Sequence, residues 1–214
     1  MLKKKLVIFP FNGNGVEALD CINYDEYEVV GFIDDDSSKK SEAYDLYNRS
    51  ILEKYKDLKV LAVPGSPTTY LQRINIIDSL AVDYNRFVTI VHPEAKIGRN
   101  VKIGNNCLVM AGVVLTSNAC IGNHVIILPN TVVHHDSVLK DYTLVGSNVV
   151  VAGGTTIDTN CYIGSGANIS NGLTIGRSVL VGLGSNILKN VPDNARMVGN
   201  PARNLNMLIS EKVV

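Results

Sequence analysis

The sequence predicts a small α/β unit of parallel strands followed by an all-β parallel helix of six-residue repeats. Three observations predict it. An aliphatic residue recurs at every sixth position from Ile97 to Ile187 without exception. Ahead of that run, residues 5–91 alternate between short apolar strand patterns and helical ones. The 214-residue chain is 46% hydrophobic but only 6% aromatic, with no Trp, so its core is built from Val, Ile, Leu and Ala. The same composition excludes disorder.

The first apolar run, Lys5–Phe9, reads as a buried strand that passes through Pro10 and a Gly- and Asn-rich loop to a helical start at Val16. A second, Glu28–Ile33, ends in Asp34, Asp35 and Asp36. A third, Lys59–Val63, ends at Pro64, Gly65 and Ser66, with a helical pattern from Thr68 to about Leu80. Arg86–Val91 reads as a last strand leading to His92 and Pro93. Alternating strand and helix signals imply a parallel sheet with Rossmann-like winding. Ligands of such sheets bind beyond the carboxyl ends of the strands, which here are the Gly13–Gly15 loop, Asp34–Asp35 and Gly65–Ser66. Pro10 stands where the usual dinucleotide fingerprint has its first glycine. Asp34 and Asp35 have two readings: acceptors for a ribose or a base N–H, or caps of the turn that follows.

The six-residue period governs the second half. Two places before each aliphatic sits a small or β-branched residue, as at Ala95, Val101, Cys107, Val113 and Ala119. One place after it, glycine recurs at 98, 104, 122, 146, 164, 176 and 182. An α-helix cannot carry this period, because six residues are not close to a whole number of turns. Short flat strands joined by tight corners, three to a coil, can. Corner residues such as Asn105, Asn106, Asn123 and Asn160 reach positive φ cheaply. Sixteen hexads make about five coils, and coils stacked ~4.8 Å apart make a prism ~25 Å tall.

Twenty Lys and Arg balance 20 Asp and Glu, which argues against a nucleic-acid or anionic-membrane partner. Cys21, Cys107, Cys120 and Cys161 form no CxxC pair, so neither a zinc ribbon nor a redox couple is suggested. Three lysines precede Leu6–Phe9, but that apolar run is too short for a signal peptide, and no stretch nears the ~18 residues of a membrane span. A soluble cytoplasmic protein with free thiols and no bound metal is expected.

Histidine suits proton transfer near neutrality, and there are four: His92, His124, His134 and His135. His92 reads as structural, beside Pro93. Residues eighteen apart stack in this architecture. His135 therefore has Ser117 below and Gly153 above, and a glycine over the imidazole leaves room for an arm to approach it. His124 stacks between Asn106 and Tyr142 on another part of the perimeter. His135 is the candidate general base and Asp136 its orienting partner. The backbone amides of Gly153 and Gly154 are candidate oxyanion donors. No Cys occupies positions 117, 135 or 153, so no thiol nucleophile stands in line with His135.

The hexad run, with Val198-Gly199-Asn200-Pro201-Ala202-Arg203 after it, resembles the left-handed β-helix acyltransferases of the hexapeptide-repeat family. With the small βαβ unit in front, the whole chain is similar to the subfamily of sialic acid O-acetyltransferases and nucleotide-linked 4-amino-sugar N-acetyltransferases. Left-handedness is what the resemblance implies; the rule for parallel crossovers points the other way. The resemblance divides the chain into a nucleotide-sugar-binding domain (1–91), an acyltransferase prism (92–190) and a C-terminal segment (191–214). It implies an acetyl-CoA-dependent N-acetyltransferase acting on the 4-amino group of a nucleotide-linked 4-amino-4,6-dideoxy sugar, for surface glycan synthesis. Sialic acid O-acetylation is the alternative. It also implies homotrimers with active sites between subunits. Carried over by position, sugar-nucleotide contacts fall on Asn12, Gly13, Asn14, Asp34 and Asp35, and coenzyme A contacts on Gly153, Ser165 and Leu183. Relatives commonly have Gly at the position of Pro10 and His at those of Asn14 and Leu144. Arg177, Lys189, Arg196 and Arg203 are either phosphate contacts or solvated surface residues. A γ-type carbonic anhydrase, with zinc on three histidines between subunits, explains neither the first domain nor the C-terminal motif. A non-catalytic scaffold is the third class.

Overall fold

The structure is a computed structural model that describes residues 2–205. Its first unit is a four-stranded, all-parallel sheet of β1 (Lys4–Phe9), β2 (Tyr27–Ile33), β3 (Leu46–Tyr47) and β4 (Lys59–Ala62), in the order β3-β2-β1-β4. Short helices α1 (Gly13–Glu17), α2 (Ser50–Lys54) and α3 (Arg73–Asp78) accompany it. This is the order of the first four strands of a doubly wound sheet. The expected strands at β1, β2 and β4 are present. β3 and α2 had no legible signal, because a two-residue strand shows no alternation. The strand expected over Arg86–Val91 divides. Phe87 bridges Val60 in the first sheet, whereas Ile90–Val91 pairs with Leu108–Val109 as the first rung of the prism.

From Ile90 to Ile187 the chain forms seventeen two-residue strands stacked in three parallel sheets, a left-handed β-helix. The first face runs through Leu108–Val109, Ile126–Ile127, Leu144–Val145, Tyr162–Ile163 and Leu180–Val181. The second face runs from Lys96–Ile97 through Val132–Val133 to Asn186–Ile187. The third runs from Lys102–Ile103 to Thr174–Ile175. Register advances by eighteen at each step, as in Cys120 opposite Val138.

The hexad aliphatics fill the prism, with Val109, Leu115, Ile127, Val133, Val145 and Ile163 fully buried. The small residues two places earlier have a polar task as well. Thr131 Oγ1 donates to Gly146 O at 2.7 Å, Ser137 Oγ to Ala152 O at 3.0 Å, and the Cys107 and Cys161 thiols to Gly122 O and Gly176 O. A rung so short leaves corner carbonyls inside the column, and these side chains satisfy them.

Every sixth residue from Asn100 to Gly184 has positive φ, including His124, Asp136 and Tyr142. Asn106 and Asn160 hold such corners; Asn105 and Asn123, expected to, do not. The glycines that follow the aliphatics are also not the left-handed residues. They are close-approach sites: a Cβ at Gly104 would lie 2.6 Å from the Gly122 carbonyl, and one at Gly164 2.8 Å from Leu183 N.

The α/β unit covers the outer side of the first face. Leu108, Met110, Ile126 and Leu144 pack there with Leu6, Ile8, Ala18, Phe32 and Leu61 in one buried cluster. Arg73 of α3 is fully buried at the edge where the third and first faces meet. Its guanidinium donates to Tyr142 O (3.1 Å), His124 O (2.6 Å) and Pro64 O, so a buried charge is met by three carbonyls. At the far end, Arg196–Gly199 and Ala202–Asn204 form an antiparallel hairpin that extends the first face beyond Leu180–Val181. The hairpin contains the expected Gly-Asn-Pro-Ala-Arg motif and shields the last rung, as solenoid ends require. Residues 206–214 of the expected C-terminal segment lie outside the described residues.

Candidate active site

His135 and Asp136 lie on the edge between the second and third faces, between the rungs Val132–Val133 and Val138–Leu139. This edge is opposite the face that carries the chain's own α/β unit. Asp136 is in the left-handed conformation at φ 59°, and its Oδ2 lies 2.8 Å from His135 Nδ1. Hydrogen bonds from His135 first and Asn118 second hold the Asp136 carboxyl below its ordinary range, so it is ionised and can only accept. The hydrogen in that bond therefore belongs to His135 Nδ1, and Nε2 is the nitrogen left to exchange a proton. That nitrogen points at bare backbone: a Cβ at Gly153 would fall 2.6 Å from it. The expected stacking holds, with Asp136 N bonded to Ser117 O and Gly154 N to His135 O.

This last bond corrects one expectation. The Gly154 N–H is engaged at 2.9 Å by the His135 carbonyl and cannot serve an oxyanion, whereas the Gly153 N–H has no protein partner among the described residues. His124 and His92 are placed elsewhere, whereas His134 adjoins His135 and its backbone N–H donates to Val151 O. His124 is buried, stacked on Tyr142 at 4.6 Å and within 2.9 Å of Asn106 Nδ2. Burial, then the nearby Arg73 charge, pushes its pKa down to about 4. His92 accepts from the Glu94 N–H through Nδ1, a local turn contact. No three His, Cys, Asp or Glu side chains converge as metal ligands among the described residues.

In the α/β unit the carboxyl ends of β2 and β3 open into a cleft of about 560 Å³, lined by Asp34, Asp35, Asp36, Lys39, Tyr47 and Arg49 among others. The expected contact residues divide here. Asn12 caps α1, its Oδ1 accepting from Gly15 N at 2.9 Å, and Asn14 Nδ2 reaches Gly65 O at 3.3 Å. Asp34 accepts from Phe11 N, Lys39 Nζ and Asp36 N, so it follows the turn-capping reading and ties the first loop to the second. Asp35 stands at the cleft but is held in a two-pronged pair by Arg49 at 2.6 and 2.7 Å. Gly13 alone is bare, with no atom near a built Cβ. Lys39 and Arg49 were not anticipated, because Arg49 reaches the cleft only through the unforeseen β3.

A family profile described as the GMPPB C-terminal domain matches residues 86–183. No curated protein matches the chain in sequence. Among solved structures, the acetyltransferase domain of PglB from Neisseria gonorrhoeae, in complex with acetyl coenzyme A, superposes with a TM-score of 0.83 at 22% identity, covering 95% of this chain and 100% of that one. PerB from Caulobacter crescentus, in complex with CoA and GDP-perosamine, gives 0.81 at 23% identity over 95% and 98% of the two chains. WeeI from Acinetobacter baumannii gives 0.79 at 25% identity over 95% and 100%. The chain has the fold of these proteins.

Within that fold, the residues expected to contact coenzyme A do not share one edge. Gly153 stands over His135, whereas Ser165 and Leu183 lie at the opposite margin of the second face, between it and the first. Ser165 Oγ accepts from Ser147 N at 3.0 Å, and Leu183 is 72% exposed. Leu144, where relatives commonly have His, is buried beneath the α/β unit and does not reach either margin.

Proposed function

We propose that the protein is an acetyl-CoA-dependent N-acetyltransferase acting on the 4-amino group of a nucleotide-linked 4-amino-4,6-dideoxy sugar. One observation carries the reading: a carboxylate-oriented imidazole whose free Nε2 lies under a bare glycine, on the edge facing away from the chain's own α/β unit. His135 takes the amine proton as the nitrogen attacks the thioester carbonyl, Asp136 stabilises the imidazolium, and the tetrahedral adduct collapses with expulsion of CoA thiolate. The Gly153 N–H is the oxyanion donor in this scheme. PglB and PerB, which share the fold, are solved with acetyl coenzyme A and with CoA plus GDP-perosamine respectively, and their ligands support the assignment.

The same geometry favours a homotrimer. Nucleotide held at the cleft of one copy and an imidazole on its far edge cannot meet within a single chain. The second face also presents half-exposed Val114, Val132 and Val150 on its outer side, an apolar stripe suited to another prism. A coenzyme arm running between Ser165 and Leu183 of one copy and Gly153 of the next uses both margins of that face. Cytoplasmic location accords with reduced, buried thiols at Cys21, Cys107 and Cys161.

The test is an acceptor screen with acetyl-CoA, following thiol release. UDP-, dTDP- and GDP-linked 4-amino sugars are expected to turn over, with free and CMP-linked sialic acids inactive. Release of CoA only with a sialic acid would replace N- by O-acetylation, and release with neither would overturn the enzymatic reading.

A further inference from the structure

Below the Asp136 carboxylate, on the same prism edge, lies a column of carboxamides. Asn100 Nδ2 donates to Asn118 Oδ1 at 3.2 Å, Asn118 Nδ2 donates to Asp136 Oδ1 at 2.8 Å, and Asp136 Oδ2 receives His135 Nδ1 at 2.8 Å. Each donor points up the column. Asn100, Asn118 and Asp136 are all left-handed corner residues, with φ of 58°, 64° and 59°. Above them the corner is held by Gly154 and Gly172, so no side chain competes for the carboxylate from that direction.

Ordinary surface pairs contribute little, because two long side chains must be frozen in water. Here the backbone has already fixed the direction of each Cα–Cβ bond, and the side chains are short. One carboxylate oxygen is taken by the amide below, which leaves the other aimed at the imidazole. We infer that Asn118 is a positioning residue for His135, holding Asp136 in the rotamer that keeps the ring proton on Nδ1 and Nε2 free. It acts through Asp136 and touches no substrate. Asn100 supports it by fixing the orientation of the Asn118 amide, since an Oδ1 that accepts from below forces Nδ2 upward. The catalytic consequence rests on the acetyltransferase reading; the tautomer itself does not.

Two substitutions separate the roles. Asn118→Gly keeps the left-handed backbone and removes the amide. Asn118→Asp keeps the side-chain shape and replaces the donor by a repelling carboxylate. Ring ¹⁵N shifts of His135 at alkaline pH read the tautomer without any substrate. The wild type is expected to show Nδ1–H, and both variants to move toward Nε2–H, with kcat about tenfold lower and KM for both substrates unchanged. His135 ring shifts identical to wild type in both variants would overturn the inference. Absence of turnover by the wild-type protein would overturn the function while the ¹⁵N shifts still decided the role of Asn118.

Discussion

At the scale of single residues, the stacking rule separated two histidines that composition treats alike. His124 is itself a left-handed corner residue and His135 directly precedes one, yet His135 has glycine above it and His124 has Tyr142. That difference was legible from the eighteen-residue spacing. The partners from the first domain were not: Phe87 packs edge-on against His124 at 5.3 Å, and Arg73 bonds its carbonyl. His124 has a consequence for stability. Its folded pKa, about 4, lies below the ordinary value of 6.5, so between those values the unfolded chain binds a proton that the folded chain refuses. Stability is therefore full above pH 6.5 and falls as pH drops toward 4, by on the order of 2 kcal/mol at pH 4.5. His124→Asn keeps a corner residue suited to positive φ and removes the titration. Urea unfolding at pH 7 and 4.5 is expected to show a smaller acid loss in that variant; an unchanged loss would assign it to other groups.

At the scale of elements, the hexad aliphatics placed all sixteen rungs from Ile97 to Ile187, because a six-residue period admits few alternatives. The roles of the glycines were less legible, since close approach and positive φ both select glycine. Space around each decides. A Cβ at Gly164 would press on the Leu183 amide and the Val181 carbonyl, both at 2.8 Å, whereas Gly172 at φ 66° has open space. Gly164→Ala is expected to cost about 1–3 kcal/mol through overpacking. Gly172→Asn is expected to be nearly neutral, because Asn fills that conformation at Asn100 and Asn118 of the same column. Thermal unfolding distinguishes the two, and equal losses would contradict the assignment. In the α/β unit, by contrast, β3 is only two residues long. Missing it hid Arg49, and with it the fact that Asp35 already has a partner.

At the scale of the whole molecule, the cleft of the α/β unit and the His135–Asp136 edge lie on different sides of one chain. The buried Arg73 and the shared apolar cluster fasten the α/β unit to the first face, and the His135 side chain on the opposite edge stays exposed. That an α/β unit precedes a prism was readable in sequence; the Arg73 anchor was not, because its partners are backbone carbonyls with no sequence signature. In the proposed reaction Nε2 of His135 is the base for acetyl transfer. Its most direct test is turnover of acetyl-CoA with the best nucleotide amino sugar by His135→Ala, alongside CoA binding by calorimetry. A fall in kcat of ~100-fold or more with CoA binding retained is expected; near-wild-type turnover would remove His135 from the chemistry.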